Sequence, residues 1–293
     1  MTTPENSITV KAPAKINLFL EIGERMPDGY HNIESVMQSV TLYDMLTVNA
    51  IPSGIKFDCS IKNLVYDKNL VILAAQLFFA ESGIDGGAEL YLKKRIPVSA
   101  GLGGGSTDAA AALTAMNELY GRPFSDAELS QLGKRLGADV PFCLKRGLCR
   151  AAGIGEMLED IGRLPRCCFV VAKGGTSVST RAAFEMIDGI KGREVKSAAR
   201  MLEAIKNQDL RAAAASLYNG FEINLAYDEN IKKTMRRHKA LNCLMSGSGP
   251  SVFGVFERDE DAQSASDELR AAGYTSYVCR PERKRSAYFA ENK

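Results

Sequence analysis

No stretch of this 293-residue chain is apolar for long enough to cross a membrane. The longest greasy run, Val71 to Ala80, includes Gln76 and falls well short of the roughly 20 residues a helical span requires. The amino terminus, Met1-Thr-Thr-Pro-Glu-Asn-Ser, has neither the basic nor the apolar region of a secretory signal. An excess of one charge is also missing. Lys plus Arg number 37 against 35 Asp plus Glu, a formal charge of +2, so there is no broad surface for tracking a nucleic-acid backbone. The local clusters Met235 to Lys239 and Arg280 to Arg285 read as a solvated helix face and a surface tail. The seven cysteines (59, 143, 149, 167, 168, 243 and 279) form no Cys-x-x-Cys pair, which excludes zinc ribbons and thioredoxin-type chemistry. An odd, scattered set fits reduced thiols. The expectation is a cytoplasmic protein with no nucleic-acid or membrane partner. Its oligomeric state, monomer or homodimer, stays open.

What is present is an ordinary globular composition, 45% apolar and 25% charged, at a length that suggests two domains. Ile16, Leu18, Leu20 and Ile22 alternate with Lys15, Asn17, Phe19 and Glu21, the period of a half-buried strand. A turn at Pro27-Asp28-Gly29 and a strand from Ser39 to Val48 follow. Leu70, Leu73 and Leu77 predict a helix over 69–79, and alternation returns over Ala88 to Val98. The Ala-rich run Thr107 to Tyr120, with Leu113, Met116 and Leu119 on one stripe, predicts another helix. Ser125-Asp-Ala-Glu128 reads as a capping box opening a helix that stops at Gly137. Beyond Arg163-Leu-Pro-Arg166 the pattern restarts with a strand at Cys168–Ala172, a loop over 174–181 and helices from Thr180 through Tyr218. A strand–loop–strand unit over 241–256, a helix at Asp261–Ala272 and a strand at Tyr274–Arg280 complete it. The mixture is α+β, divided into residues 1–160 and 161–293.

The densest chemical signal is Pro97-Val98-Ser99-Ala100-Gly101-Leu102-Gly103-Gly104-Gly105-Ser106-Thr107, set between a strand and a helix. Glycine permits positive φ and close approach of backbone amides to a ligand, and the following helix start adds unpaired N–H donors. Together they make a phosphate cradle. It is not a Walker loop, since no Gly-Lys-Ser/Thr closes it, nor a dinucleotide fingerprint, since Ser106 replaces the third glycine. Three consecutive glycines exceed what a turn needs.

This loop resembles that of the small-molecule kinases grouped with galactokinase, homoserine kinase and mevalonate kinase, and two further segments fit them, Ala12-Pro-Ala-Lys-Ile-Asn-Leu-Phe-Leu20 and Met245-Ser-Gly-Ser-Gly-Pro-Ser-Val-Phe-Gly254. Asp28-Gly-Tyr-His31, Asn69-Leu70, Lys94-Arg-Ile-Pro97, Gly137-Ala-Asp-Val-Pro141 and Gly153-Ile-Gly-Glu156 are similar, in family order, to the branch acting on a cytidine-diphosphate-linked methylerythritol. The resemblance implies a ribosomal-S5-like amino-terminal domain, which binds nucleotide and carries the catalytic pair. It also implies a ferredoxin-like carboxyl-terminal domain closing over substrate. The activity implied is transfer of the ATP γ-phosphoryl group, with Mg²⁺, to the substrate's 2-hydroxyl, a step of the non-mevalonate route to isoprenoid precursors.

Phosphoryl transfer needs positioning and charge stabilisation, with a base for the hydroxyl proton. Taken alone, Asp139 reads as a turn or capping aspartate. The resemblance makes it the base, with Lys15 keeping it ionised and Asn17 on the substrate. It casts Tyr30 and His31 on the cytosine, with Thr180 and Phe184 as a further contact and opposite wall. Asn69 and Lys94 become adenine contacts. Residues 97–107 cradle the phosphates, and Gly247 and Ser248 face the substrate diphosphate or the transferred group. No carboxylate is assigned to magnesium; Asp108 reads as favouring the helix start. Ser99 and Ala100 stand where some relatives carry glycines. Three rivals remain: a related kinase with another acceptor alcohol, a nucleotide-binding regulator without catalysis, and an RNA-binding module.

Overall fold

The fold is built around one long hairpin, β1 (Ser7–Arg25) and β2 (His31–Ile51), paired antiparallel along nearly its whole length. The computed structural model describes residues 6–27, 29–174, 180–190, 195–223 and 227–282, with only the backbone of Thr180 and Arg181. Asp28 of the expected turn lies outside the described residues, as do most of the 174–181 loop and positions 283–285 of the basic tail.

The remaining strands and helices, in chain order, are β3 (Gly54–Cys59), α1 (Leu70–Ser82), β4 (Gly87–Lys93), α2 (Gly104–Leu119), α3 (Asp126–Leu136), α4 (Val140–Lys145), β5 (Leu148–Ala152), β6 (Met157–Asp160) and β7 (Cys168–Lys173). They continue with α5 (Thr180–Asp188), α6 (Ala199–Lys206), α7 (Leu210–Ala215), β8 (Tyr218–Asn219), α8 (Glu229–Arg237), β9 (Asn242–Met245), β10 (Ser251–Phe256), α9 (Asp259–Ala271) and β11 (Thr275–Cys279). The first sheet runs β3-β4-β2-β1-β8, with β5 joined to β2 and β6 to β5. The second runs β11-β7-β10-β9, entirely antiparallel. With helices inserted after β7 and β10, it has the β-α-β-β-α-β order of a ferredoxin-like unit.

Period-two alternation in β7 explains how the layers stack. Phe169 and Val171 face the first sheet's core, whereas Cys168, Val170 and Ala172 face α8 and α9. The other face of the first sheet packs on α1 to α4. The layers share a core, since Ile16 and Leu18 of β1 join Phe253 and Val255 of β10. Among the described residues no helix is long and apolar enough to cross a membrane.

Several elements differ from expectation for identifiable reasons. The strand expected to reach Val98 stops at Lys93, because the Asp44 carboxylate takes the N–H groups of Arg95 and Ile96 at 2.5 and 2.8 Å in place of a ladder partner. Helix α2 starts at Gly104, three residues early, after Gly103 at φ +68°. It is buried around its whole circumference from Thr107 to Asn117, so the expected one-sided stripe is only part of its apolar surface. Tyr218 is not helical; with Asn219 it forms the short parallel edge β8 beside Phe19 and Leu20. The strands β3, β5 and β6 and the helix α4 carried too weak a pattern to be anticipated, and of α8 only the basic end, from Met235, was read as a helix face. The capping box at Ser125 and Glu128 is present with both of its hydrogen bonds.

Candidate active site

A register shift in the hairpin between Asn17 and Phe19 sets the geometry of the site. Bulges re-aim side chains and are frequent beside functional sites. Lys15 and Asn17 point into a cleft, Ile16 and Leu18 into the core, and the shift returns Leu20 to the cleft wall. Alternation alone would have left Leu20 with Ile16 and Leu18. The cleft has a volume of about 1210 Å³, larger than the roughly 300–1,000 Å³ typical of a single small-molecule site.

On the cleft floor the Lys15 ammonium donates to Asn17 Oδ1 at 2.8 Å and lies 3.3 Å from Asp139 Oδ2. Asn17 Nδ2 donates to Ser35 Oγ at 2.9 Å, and that hydroxyl donates to the Phe19 carbonyl at 2.7 Å. Asp139 occupies the N-cap position of α4 but makes no side-chain cap bond. A turn aspartate would normally spend its carboxylate on N2 or N3 amides; this one is turned to Lys15 and is 37% exposed.

One end of the cleft is the glycine loop. Gly101 and Gly103 have φ of +72° and +68°, and helix α2 opens with Gly104, Gly105 and Ser106 on the cleft wall. No side chain caps that helix start, so its first amides face the cavity as an anion site. Glycine is required at 103, where a Cβ would lie 2.8 Å from Lys15 Cγ. Ser99 holds φ +50°, a left-handed conformation that costs a non-glycine residue roughly 1–2 kcal/mol. Pro97, Val98, Ala100 and Leu102 complete this wall. Thr107 departs from expectation: its amide donates to the Gly103 carbonyl and its side chain is buried off the wall.

Asn69 caps α1, accepting from the Val71 amide at 2.9 Å and donating to the Leu64 carbonyl at 2.8 Å. It still lines the cleft, next to Tyr66, which sequence reasoning did not single out. Lys94 also lines it, but its ammonium sits between Asp44 at 2.5 Å and Asp108 at 2.6 Å. Burial, together with the neighbouring Asp44 charge and against the pull of Lys94, pushes the Asp108 carboxyl up to about 8. Among the described residues no group of three His, Cys, Asp or Glu side chains is arranged for a metal ion.

The loop between β9 and β10 closes the cleft from the second half of the chain. Ser246 Oγ donates to the Gly101 carbonyl at 2.9 Å, and Gly247 and Ser248 reach the wall. Asn219 of β8 fastens this loop by donating to the carbonyls of Met245 and Gly247, both at 2.8 Å. Nothing in the sequence pattern marked Asn219.

At the opposite end, Tyr30 is 58% exposed while His31 is buried. The imidazole stacks on Phe184, with ring centroids 4.8 Å apart and 16° between planes. Its Nε2 is 2.7 Å from Asp188 Oδ1. The Thr180 side chain lies outside the described residues.

Comparison with known proteins shows the family of the chain. The family of GHMP kinases N terminal domains matches residues 69–147 and that of GHMP kinases C terminal domains residues 201–275. A 4-diphosphocytidyl-2-C-methyl-D-erythritol kinase of Caldicellulosiruptor saccharolyticus is 40% identical over 89% of this chain and 92% of its own. The chain belongs to the 4-diphosphocytidyl-2-C-methyl-D-erythritol kinase family. A second member, from Lachnospira eligens, is also 40% identical, over 93% of this chain and 96% of its own. A crystal structure of 4-(cytidine 5'-diphospho)-2C-methyl-D-erythritol kinase superposes with a TM-score of 0.80 at 32% identity, covering 94% of this chain and all of the other. The expected GHMP fold, with its amino- and carboxyl-terminal domains, is therefore the observed one.

Proposed function

We propose that this chain is an ATP-dependent kinase that phosphorylates the 2-hydroxyl of 4-diphosphocytidyl-2-C-methyl-D-erythritol, in the cytoplasmic, non-mevalonate route to isoprenoid precursors. The observation that carries this reading is Asp139, a carboxylate at an N-cap that caps nothing and instead meets Lys15 on the floor of a cleft. Residues 1–160 supply the nucleotide loop and this pair, and residues 161–293 supply the closing loop and Phe184.

In the reaction the acceptor hydroxyl gives its proton to Asp139 as its oxygen bonds to the γ-phosphorus, and the bond to the ADP oxygen breaks. Lys15 offsets the negative charge gathering at that point, and Asn17 orients the acceptor. The exposed amides at the start of α2 hold the triphosphate, in keeping with chemistry that rests mainly on positioning and electrostatics. Tyr30 stacks on the cytosine, with His31 at its edge and Phe184 behind the imidazole. Asn69 and Lys94 border the adenine end; Gly247 and Ser248 face the substrate diphosphate. Asp44 and Asp108 share the Lys94 ammonium and are poor candidates for a metal site. Magnesium would come with ATP as part of the substrate and would supply positive charge to the phosphates during transfer.

The test is ADP release by the purified protein with the cytidine-linked alcohol, homoserine or mevalonate as acceptor. Turnover confined to the first supports the reading. Turnover with another alcohol alone, or with none, overturns it.

A further inference from the structure

We propose that Asp188 sets the tautomer of His31 and thereby the preference for cytosine over uracil. The inference rests on the cytidine reading above. Asp188 closes α5, whose inner face is anchored by Ala183 and Ile187 in a cluster with Leu20, Ile22, Phe221 and Met245. This places the carboxylate at a defined height above the hairpin tip. Oδ1 lies 2.7 Å from His31 Nε2, and Oδ2 lies 3.6 Å from Arg25 Nη1.

A carboxylate oxygen accepts, so Nε2 carries the hydrogen, and in the neutral ring Nδ1 is the acceptor. Stacking on Phe184 fixes the plane of the ring, and the edge contact of Phe184 with Phe221 (centroids 5.0 Å apart, planes at 78°) fixes Phe184. The imidazole therefore has one orientation and one tautomer. An Nδ1 acceptor matches the exocyclic amine of cytosine. The uracil oxygen at the same place would set acceptor against acceptor, and a site built for a donor rejects an analogue without one. Without Asp188 the hydrogen is free to move to Nδ1, which then donates to the uracil oxygen equally well. Asp188 acts through His31 and is a positioning residue.

The experiment compares the cytidine-diphosphate-linked alcohol with its uridine-diphosphate-linked counterpart in the wild-type protein, Asp188→Ala and Asp188→Asn. Asp188→Ala should raise KM for the cytidine substrate and lower the cytidine-over-uridine preference, both by roughly ten- to a hundredfold, as leaving a buried polar group unpaired does. Its kcat and its KM for ATP should stay the same. Asp188→Asn should keep the preference, because its amide oxygen still accepts from Nε2–H. An Asp188→Ala protein with undiminished preference, or an Asp188→Asn protein that loses it, overturns the inference.

A second measurement does not require either variant to fold. The chain has only two histidines, His31 and His238. Nitrogen-15 spectra of wild-type protein, assigned against His238→Gln, should show a hydrogen on Nε2 of His31; a hydrogen on Nδ1 instead overturns the inference. Failure of the wild-type protein to use the cytidine substrate at all would defeat the underlying reading, and the nitrogen-15 result would still report separately on the pair.

Discussion

Gly101 and Ser246, 145 residues apart, meet side chain to backbone: Ser246 Oγ donates to the Gly101 carbonyl at 2.9 Å. A Cβ on residue 101 would lie 2.0 Å from the Ser246 carbonyl oxygen and 2.9 Å from the Gly249 nitrogen. The glycine loop and the loop between β9 and β10 are thus seated on each other with no room for a methyl group. Gly101 also holds φ +72°, which an alanine adopts only at a cost. Gly101→Ala should therefore force the loops apart, destabilising the fold by roughly 1–3 kcal/mol and raising KM for ATP. Thermal melting with ATP-dependent kinetics checks this. An unchanged melting temperature and KM would show that the contact tolerates a side chain.

Asp139→Asn preserves shape and removes both the negative charge and the basicity. Because Asp139 makes no cap bond to α4, the helix loses nothing. Turnover should fall by about 10²–10⁴-fold, the usual contribution of general base catalysis, while calorimetric binding of an ATP analogue and of the cytidine substrate is nearly retained. Since loose phosphoryl-transfer transition states require little early proton removal, the lower end of that range is the more informative threshold. Turnover near wild type would remove Asp139 from the chemistry.

Asn219 is buried and bridges three backbone groups, donating to the Met245 and Gly247 carbonyls and accepting from the Phe221 amide at 3.0 Å. Asn219→Ala leaves those groups unpaired, at a cost of roughly 1–3 kcal/mol each at most. Asn219→Asp should be worse than Asn219→Ala, since it turns a carboxylate toward two carbonyl oxygens. Urea unfolding of the two variants tests the order; an alanine variant less stable than the aspartate one contradicts it.

The glycine loop and the helix behind it were legible from composition and spacing, as were Lys15 and Asn17 on one strand face, because each depends on local periodicity or glycine chemistry. Leu20 was not, because the register shift that moves it lies in the pairing of β1 with β2 and not in either strand alone. Asn219, Asp44 and Asp188 were missed for a similar reason. Each is a polar residue in an unremarkable segment whose partners are distant in the chain: Met245 and Gly247, Lys94, and His31. Lys94 shows the converse. The family pattern places it at the adenine, yet two buried carboxylates already hold its ammonium, and only the folded chain brings them together.

One of those two groups, Asp108, carries a pH dependence whose sign follows from burial. In the unfolded chain Asp108 has the ordinary value of 3.8, whereas in the fold burial and the Asp44 charge push it up to about 8. Below about pH 4 both states hold the proton and the group contributes no slope. Between about 4 and 8 the folded protein keeps a proton that the unfolded chain has released, so stability falls as pH rises, at a limiting slope of about 1.4 kcal/mol per pH unit for one proton. Above about 8 the slope disappears. The neutral carboxyl has a second consequence, because an uncharged Asp108 in the first turns of α2 leaves the positive end of that helix available to an anion. Asp108→Asn mimics the protonated side chain at every pH and still offers an oxygen to Lys94. Urea unfolding at intervals from pH 4 to pH 8 should show wild-type stability declining relative to the variant across that window. Parallel curves for the two proteins would mean that Asp108 keeps an ordinary acidity inside the fold.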